Sequence, residues 1–244
     1  MTVSSSCGLV AALPRRATPG GKDNVRHFEE RLDELRNRLL EMSGLVESAI
    51  YRSVHAVVDR DENLAHQVLE NESRVNQMQI EIDDMAVRLL ALEQPVAIDL
   101  RLITAAIKIN NDLERMGDLA VSIAERAVSL MHGPSVNALI DIPYMASLAE
   151  SMVRKALDSF VKRDSDLARS VLLSDDAVDN LRDGIYTEMV RYMEGNPGCI
   201  PSALSVIFVA RNLERIADHA TNIAEDVLFL VDGVDVRHHA EARQ

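Results

Sequence analysis

Tryptophan is absent from this chain of 244 residues, and four Phe and four Tyr hold the aromatic content to 3%. A β-sandwich core draws on aromatic and β-branched residues, so this interior must be filled by aliphatic and small side chains. A hydrophobic fraction of 47%, including ten Met, is ample for that. Glycine and proline are also scarce, at ten and seven, which leaves long stretches with nothing to break a helix. These absences predict an all-α protein.

Only two cysteines occur, Cys7 and Cys199, with no Cys-x-x-Cys between them. A dithiol redox motif and a thiolate zinc site are thereby excluded, and two free thiols in a reducing cytoplasm are expected. No apolar run reaches the length of a membrane span; residues 206–210 form a short core segment. Near the N-terminus the basic pair Arg15-Arg16 follows the apolar stretch instead of preceding it. That is the reverse of a secretory signal, so residues 1–22 are expected to form a disordered extension. Positive charge is the minority: 26 Lys and Arg face 39 Asp and Glu, for a formal net charge of −13. Neither nucleic acid nor an anionic lipid surface would attract such a chain, and no basic stripe with interleaved aromatics offsets this.

Catalytic motifs are missing too. The chain has no P-loop, no Gly-x-Ser-x-Gly and no His-Glu-x-x-His. It has no Glu-x-x-His either, the segment that ferritin-like di-metal enzymes project into a bundle core. The seven histidines are scattered, apart from His238-His239 in an expected frayed tail. Chemistry has no constellation to stand on, and the chain is read as a non-enzyme.

What is present is helical periodicity. Leu32, Leu35, Leu39, Met42, Val46 and Ala49 step by threes and fours, the seam of a long bundle helix running to about residue 58. A helical turn over 64–69 leads into a second seam of Val75, Met78, Ile82, Met85, Leu89 and Leu92, closed by Pro95. A third helix, from about 97 to 131, carries Ile109, Leu113, Met116, Ala120, Ile123, Ala127 and Leu130 on its seam. After the linker His132-Gly133-Pro134-Ser135 the pattern restarts, with helices over 145–162, 178–193 and 202–230.

The restart is a repeat. Asp112-Leu113-Glu114-Arg115-Met116-Gly117-Asp118 is echoed by Asn212-Leu213-Glu214-Arg215-Ile216-Ala217-Asp218, and Ile123-Ala124-Glu125 by Ile223-Ala224-Glu225. Independently, Arg60-Asp61-Glu62-Asn63-Leu64-Ala65 matches Arg163-Asp164-Ser165-Asp166-Leu167-Ala168. Two tandem three-helix bundles, six long helices in all, account for both matches. The expected division is a first repeat over 23–134, a second over 135–234, and a disordered tail over 235–244.

At 100° per residue, Glu114 falls about 140° from its seam and Asp118 about 180°, so the pair faces away from its own bundle. Glu214 and Asp218 do the same in the second copy. A single Glu-x-x-x-Asp on a helix is ordinarily a solvated face; its duplication marks both copies as candidate sites. Asp83 on the second helix, and Asp179 and Asp183 in the other repeat, lie where they would add carboxylates from a neighbouring helix. All-oxygen sites of this kind suit hard cations such as magnesium or manganese, and also iron. His219 is read as an ordinary surface histidine.

Together with Gln94-Pro95-Val96-Ala97-Ile98-Asp99-Leu100-Arg101 and Ile200-Pro201-Ser202-Ala203-Leu204, the two acidic segments make the chain resemble the PhoU family over roughly residues 26–234. The resemblance implies two three-helix bundles, a homodimer, and negative regulation of phosphate uptake and of the phosphate-starvation response. It implies a cytoplasmic adaptor between a phosphate ABC transporter, through its ATPase PstB, and the sensor kinase PhoR, reaching the membrane only through those partners. It also implies bound metal ions (iron, zinc, manganese or magnesium) on motifs that fall here on Glu114, Asp118, Glu214 and Asp218. The second-helix motif departs from that pattern: Gln79 stands in its leading place in the first repeat, and Arg182 and Tyr186 stand in its two places in the second. The competing expectations are a helical scaffold whose carboxylates only solvate it, and behind that a carboxylate-metal enzyme.

Overall fold

The structure, a computed structural model, describes residues 21–136, 141–234 and 236. These form helices α1 (Gly21–Asp59), α2 (Glu62–Glu93), α3 (Ile98–His132), α4 (Asp141–Lys162), α5 (Ser165–Leu172), α6 (Asp175–Gly195) and α7 (Ile200–Asp232), with a 3-10 turn over Pro197–Cys199 before α7. No strand occurs among the described residues. Of the expected N-terminal extension, only Gly21 and Lys22 are described, as the start of α1; residues 1–20, Cys7 included, lie outside the described residues. So does the tail, apart from position 236.

The matched Arg-Asp segments turn out to be one turn used twice. Arg60 and Arg163 adopt left-handed φ values of 54° and 51°, which reverses the chain as each first helix ends. The next residue caps the next helix. Asp61 accepts from the backbone N–H of Asn63 and Leu64, at 2.9 and 3.4 Å, and Asp164 accepts from that of Leu167 at 2.9 Å. Arg60 also donates to the Leu130 carbonyl at 2.7 Å, tying this turn to the C-terminal end of α3, where a cation is favoured.

Most of the seams are buried as read, and all seven seam positions of α3 are. The misses are Ala49 and Met85, only half-buried, and Leu92, which is exposed; Ile50 and Ala86 are fully buried beside them. A helix with 3.6 residues per turn drifts away from a strict heptad, so late seam positions rotate out. The second bundle differs from the first in one respect. Where α2 runs unbroken, its counterpart is divided at Leu173-Ser174 into α5 and α6.

The two bundles share a core. α3 and α7 lie side by side and antiparallel, as the pairs Lys108–Asp226, Asp112–Asn222 and Arg126–Phe208 require. The midpoint of that register falls at Gly117 and Ala217, corresponding residues of the two repeats, so an approximate two-fold axis passes through the middle of the molecule. α1 and α2 flank α3, while α4, α5 and α6 flank α7; α1 and α4 also touch. Because α3 and α7 pack on several sides, their buried residues extend beyond one seam, to Ala105, Ala106, Asp112 and Leu119 on α3.

Candidate functional site

Phasing against its own bundle left the acidic segment of each repeat facing solvent. The structure corrects this in part. Side-chain exposure is 18% for Glu114 and 16% for Glu214. Phasing counted one core, whereas α3 and α7 each have neighbours on other sides. α2 or α6 and the partner long helix close in on the outward face.

In the first repeat, Glu114 has Arg115 Nε 3.6 Å away. Burial pushes its pKa up, and Asp118 one turn along adds to that; Arg115 and His219 oppose it. Asp118 is half-buried beside it. Asp83 does not act on Glu114. Its Oδ1 accepts instead from Asn110 Nδ2 at 2.9 Å. The fully buried Asn110 also donates to the Gln79 carbonyl at 3.0 Å, so it ties α3 to α2 by way of Asp83 rather than leaving that carboxylate free.

In the second repeat the corresponding slot contains a cation. Arg182 Nη1 donates to Glu214 Oε1 at 2.6 Å, Nη1 stands 3.6 Å from Asp179, and Nη2 reaches Asp183 at 3.0 Å. A guanidinium held by three carboxylates from α6 and α7 occupies the place where a metal ion was expected. Asp218 reaches solvent, yet partial burial pushes its pKa up to about 6, helped by Glu214, Asp175 and Asp179 and opposed by His219. Asp175 is a member of the cluster that sequence reading missed. Its signal was there: Asp175, Asp179 and Asp183 recur every fourth residue on α6.

His219 is not the surface histidine it was expected to be. Its side chain is 17% exposed, and Nδ1 pairs with Asp112 Oδ1 at 2.8 Å across the α3–α7 seam. Asn222 donates to the same oxygen at 3.4 Å. The imidazole thus sits between the repeats, acting on Glu114 on one side and Asp218 on the other. One sequence cannot reveal such a pairing, because Asp112 and His219 meet only once the bundles are docked.

The carboxylates do not fit a multinuclear metal cluster. Among the described residues no three His, Cys, Asp or Glu side chains converge closely enough to hold a metal ion. No described helix is long and apolar enough to cross a membrane.

Comparison with known proteins agrees with this architecture. The sequence profile of the PhoU domain matches twice, at residues 39–127 and 142–227. A phosphate-specific transport system accessory protein PhoU homolog of Pseudomonas aeruginosa is 44% identical over 223 residues, which is 89% of this chain and 92% of that protein. Its counterpart in Zymomonas mobilis is 38% identical, over 86% of this chain and 88% of its own length. The crystal structure of PhoU from Pseudomonas aeruginosa superposes with a TM-score of 0.83 at 43% identity, covering 85% of this chain and all of that one. The phosphate transport system regulatory protein PhoU from Streptococcus pneumoniae gives 0.78 at 28% identity, over 86% of this chain and 99% of its own. Two tandem PhoU domains docked through their third helices make this chain a member of the PhoU family, a family of accessory and regulatory proteins rather than enzymes.

Proposed function

We propose that the chain is an accessory regulator of phosphate transport that restrains uptake and the phosphate-starvation response when phosphate is ample. It works in the cytoplasm as a homodimer, an adaptor between the ATPase of a phosphate ABC transporter and a sensor histidine kinase. The observation that carries the reading is full-length similarity to phosphate-specific transport system accessory proteins, across both repeats. A scaffold of packed helices suits an adaptor, which has only to present surfaces. Deleting the gene is expected to switch on phosphate-uptake genes in phosphate-rich medium. Unaltered expression would count against the regulatory reading, and a monomer in sedimentation velocity would remove the dimer.

The reading includes a metal at the carboxylate pair whose second helix supplies no guanidinium. In the first repeat, Glu114 and Asp118 would hold one hydrated hard cation through two carboxylates, the mode in which magnesium keeps most of its water. It would neutralise the pair and stiffen this end of α3. In the second repeat, Arg182 already neutralises Glu214. Metal content of protein purified without chelators is therefore expected to fall in Glu114→Ala/Asp118→Ala and to hold in Glu214→Ala/Asp218→Ala. Equal metal in wild type and both variants would remove the metal from the reading.

A further inference from the structure

Away from the acidic segments, α1 and α4 meet across the approximate two-fold axis and close a small cavity of about 130 Å³. Its lining consists of three corresponding pairs: Glu47 and Glu150, Ile50 and Val153, Tyr51 and Arg154. Each pair keeps the spacing of the matched turns at Arg60 and Arg163, so the cavity lies on the axis itself. Near such an axis a residue meets its own counterpart. Here that residue is a glutamate, and docking of the repeats sets like charge against like.

Both carboxylates are half-buried, and neither makes a hydrogen bond or ion pair among the described residues. Few charged groups face them. Arg154 on α4 attracts both but stays exposed and closes an ion pair with neither. Asp158 on α4 adds a further negative charge beside Glu47, and is itself tied to Lys162 at 2.8 Å. His55 on α1 acts on Glu150, while its Nδ1 stands 2.8 Å from Asp59. Tyr51 and the fully buried Ile50 and Val153 complete the wall. Burial pushes both glutamate pKa values up. At Glu47 Arg154 opposes this and Asp158 adds to it; at Glu150 His55 and Arg154 oppose it and Glu47 adds to it.

We propose that the Glu47–Glu150 pair is a proton-controlled latch between the two repeats. Uptake of a proton tightens the α1–α4 contact, and its loss loosens that contact while α3 and α7 stay docked. The α3–α7 seam is held by fully buried apolar residues, whereas the α1–α4 contact draws two unpaired carboxylates out of water. Two acids sharing one partly desolvated site favour a form in which one of them is neutral. Their pKa values are higher in the closed contact than in an open one, where both are solvated, so the closed form binds the proton more strongly. The support is fully present below the ordinary value of 4.5 and is lost as pH rises through the raised values. Because α1 belongs to one bundle and α4 to the other, protonation at this one place sets how firmly the bundles are held together. The latch stands apart from the adaptor and metal readings and survives the failure of either.

Amide hydrogen exchange of the full chain, corrected for intrinsic rates and followed from about pH 5 to about pH 8, tests this. In wild type, protection over residues 43–58 and 145–158 is expected to fall as pH rises, by up to about tenfold per pH unit, the limit for one proton. Protection in the middle of α3 and α7 is expected to hold. Glu47→Gln/Glu150→Gln is expected to keep both segments at their acid-side protection throughout. His55→Gln is expected to retain the wild-type dependence, since the imidazole is only a neighbour of the pair. Circular dichroism melts at both ends of the range establish that each variant is folded. Four results would overturn the proposal. Protection in wild type that does not change with pH removes the latch, as does a double variant that keeps the wild-type dependence. Loss of the dependence in His55→Gln places the switch on the imidazole and Asp59. An equal fall across α3 and α7 makes the effect one of global stability.

Discussion

The two repeats share the Glu-Arg-x-x-Asp segment and surround it with different charges. Around Glu114 and Asp118 the second helix presents Gln79 and an Asp83 held by the buried Asn110. Around Glu214 and Asp218 it presents Arg182, gripped by three carboxylates, and an exposed Tyr186. The position of Asn110 is Ala210 in the second repeat, so the buried amide tie belongs to the first bundle, while in the second the Arg182–Glu214 pair joins the corresponding helices. The difference teaches that a repeated carboxylate pair is an obligation more than a function. Two acids one turn apart, half-buried, need something to offset their repulsion. In the second repeat the chain answers with a guanidinium from the second helix, 2.6 Å from Glu214; in the first, Arg115 stands 3.6 Å from Glu114.

The sharpest way to break the comparison is to remove that guanidinium. Arg182→Ala leaves Glu214, only 16% exposed, among Asp175, Asp179 and Asp218 without the cation that contacts it. The expected cost is about 2 kcal/mol, between the values for exposed and buried pairs, read from urea unfolding. A divalent cation should then stabilise the variant by more than it stabilises wild type, because only the variant offers the second-repeat carboxylates in addition to Glu114 and Asp118. If magnesium stabilises wild type and variant equally, Arg182 is not standing in for a metal.

Next in size is the tie unique to the first repeat. Asn110→Ala removes the donor that holds the Gln79 carbonyl and Asp83, at a fully buried position. A loss of about 1.5 kcal/mol is expected, because the carbonyl it abandons is part-buried. The Asn110 Oδ1 is itself buried without a partner among the described residues, so the net cost stays well below that of breaking a fully satisfied network. Ala210→Asn, the reverse exchange, is expected to gain nothing: Tyr186 stands where the first repeat has the accepting Asp83. A stabilised Ala210→Asn would mean that the two second helices are more alike than their side chains suggest.

These contrasts mark how far the sequence could be read. Helix number, the repeat, the Arg-Asp turns and the α3 seam were legible because each is local, set by spacing of three or four residues and by capping chemistry. Arg182 was visible as a departure, but not as an occupant, because its reach to Glu214 spans 32 positions. His219 and Asp112, 107 positions apart, belong to the docking of the repeats, which no period within either repeat records. The same docking explains why the outward phase of Glu114 and Glu214 overstated their exposure.

The smallest predicted effect separates proton chemistry from packing at the second repeat. The folded-state pKa of Asp218 is raised from 3.8 to about 6, so the folded chain binds a proton there more readily than the unfolded chain does. Between those values, stability from this group rises as pH falls, and above about pH 6 the ionised carboxylate weighs against folding. Asp218→Asn removes that burden. With allowance for solvent screening at a side chain that reaches water, the variant should exceed wild type by about 1 kcal/mol near pH 8. The advantage should shrink through pH 6 and vanish below about pH 4, where both forms of the position are neutral. Chemical denaturation at several pH values measures it directly. An advantage that does not change with pH would place the effect in packing or hydrogen bonding, and the second repeat would then differ from the first in shape rather than in its handling of charge.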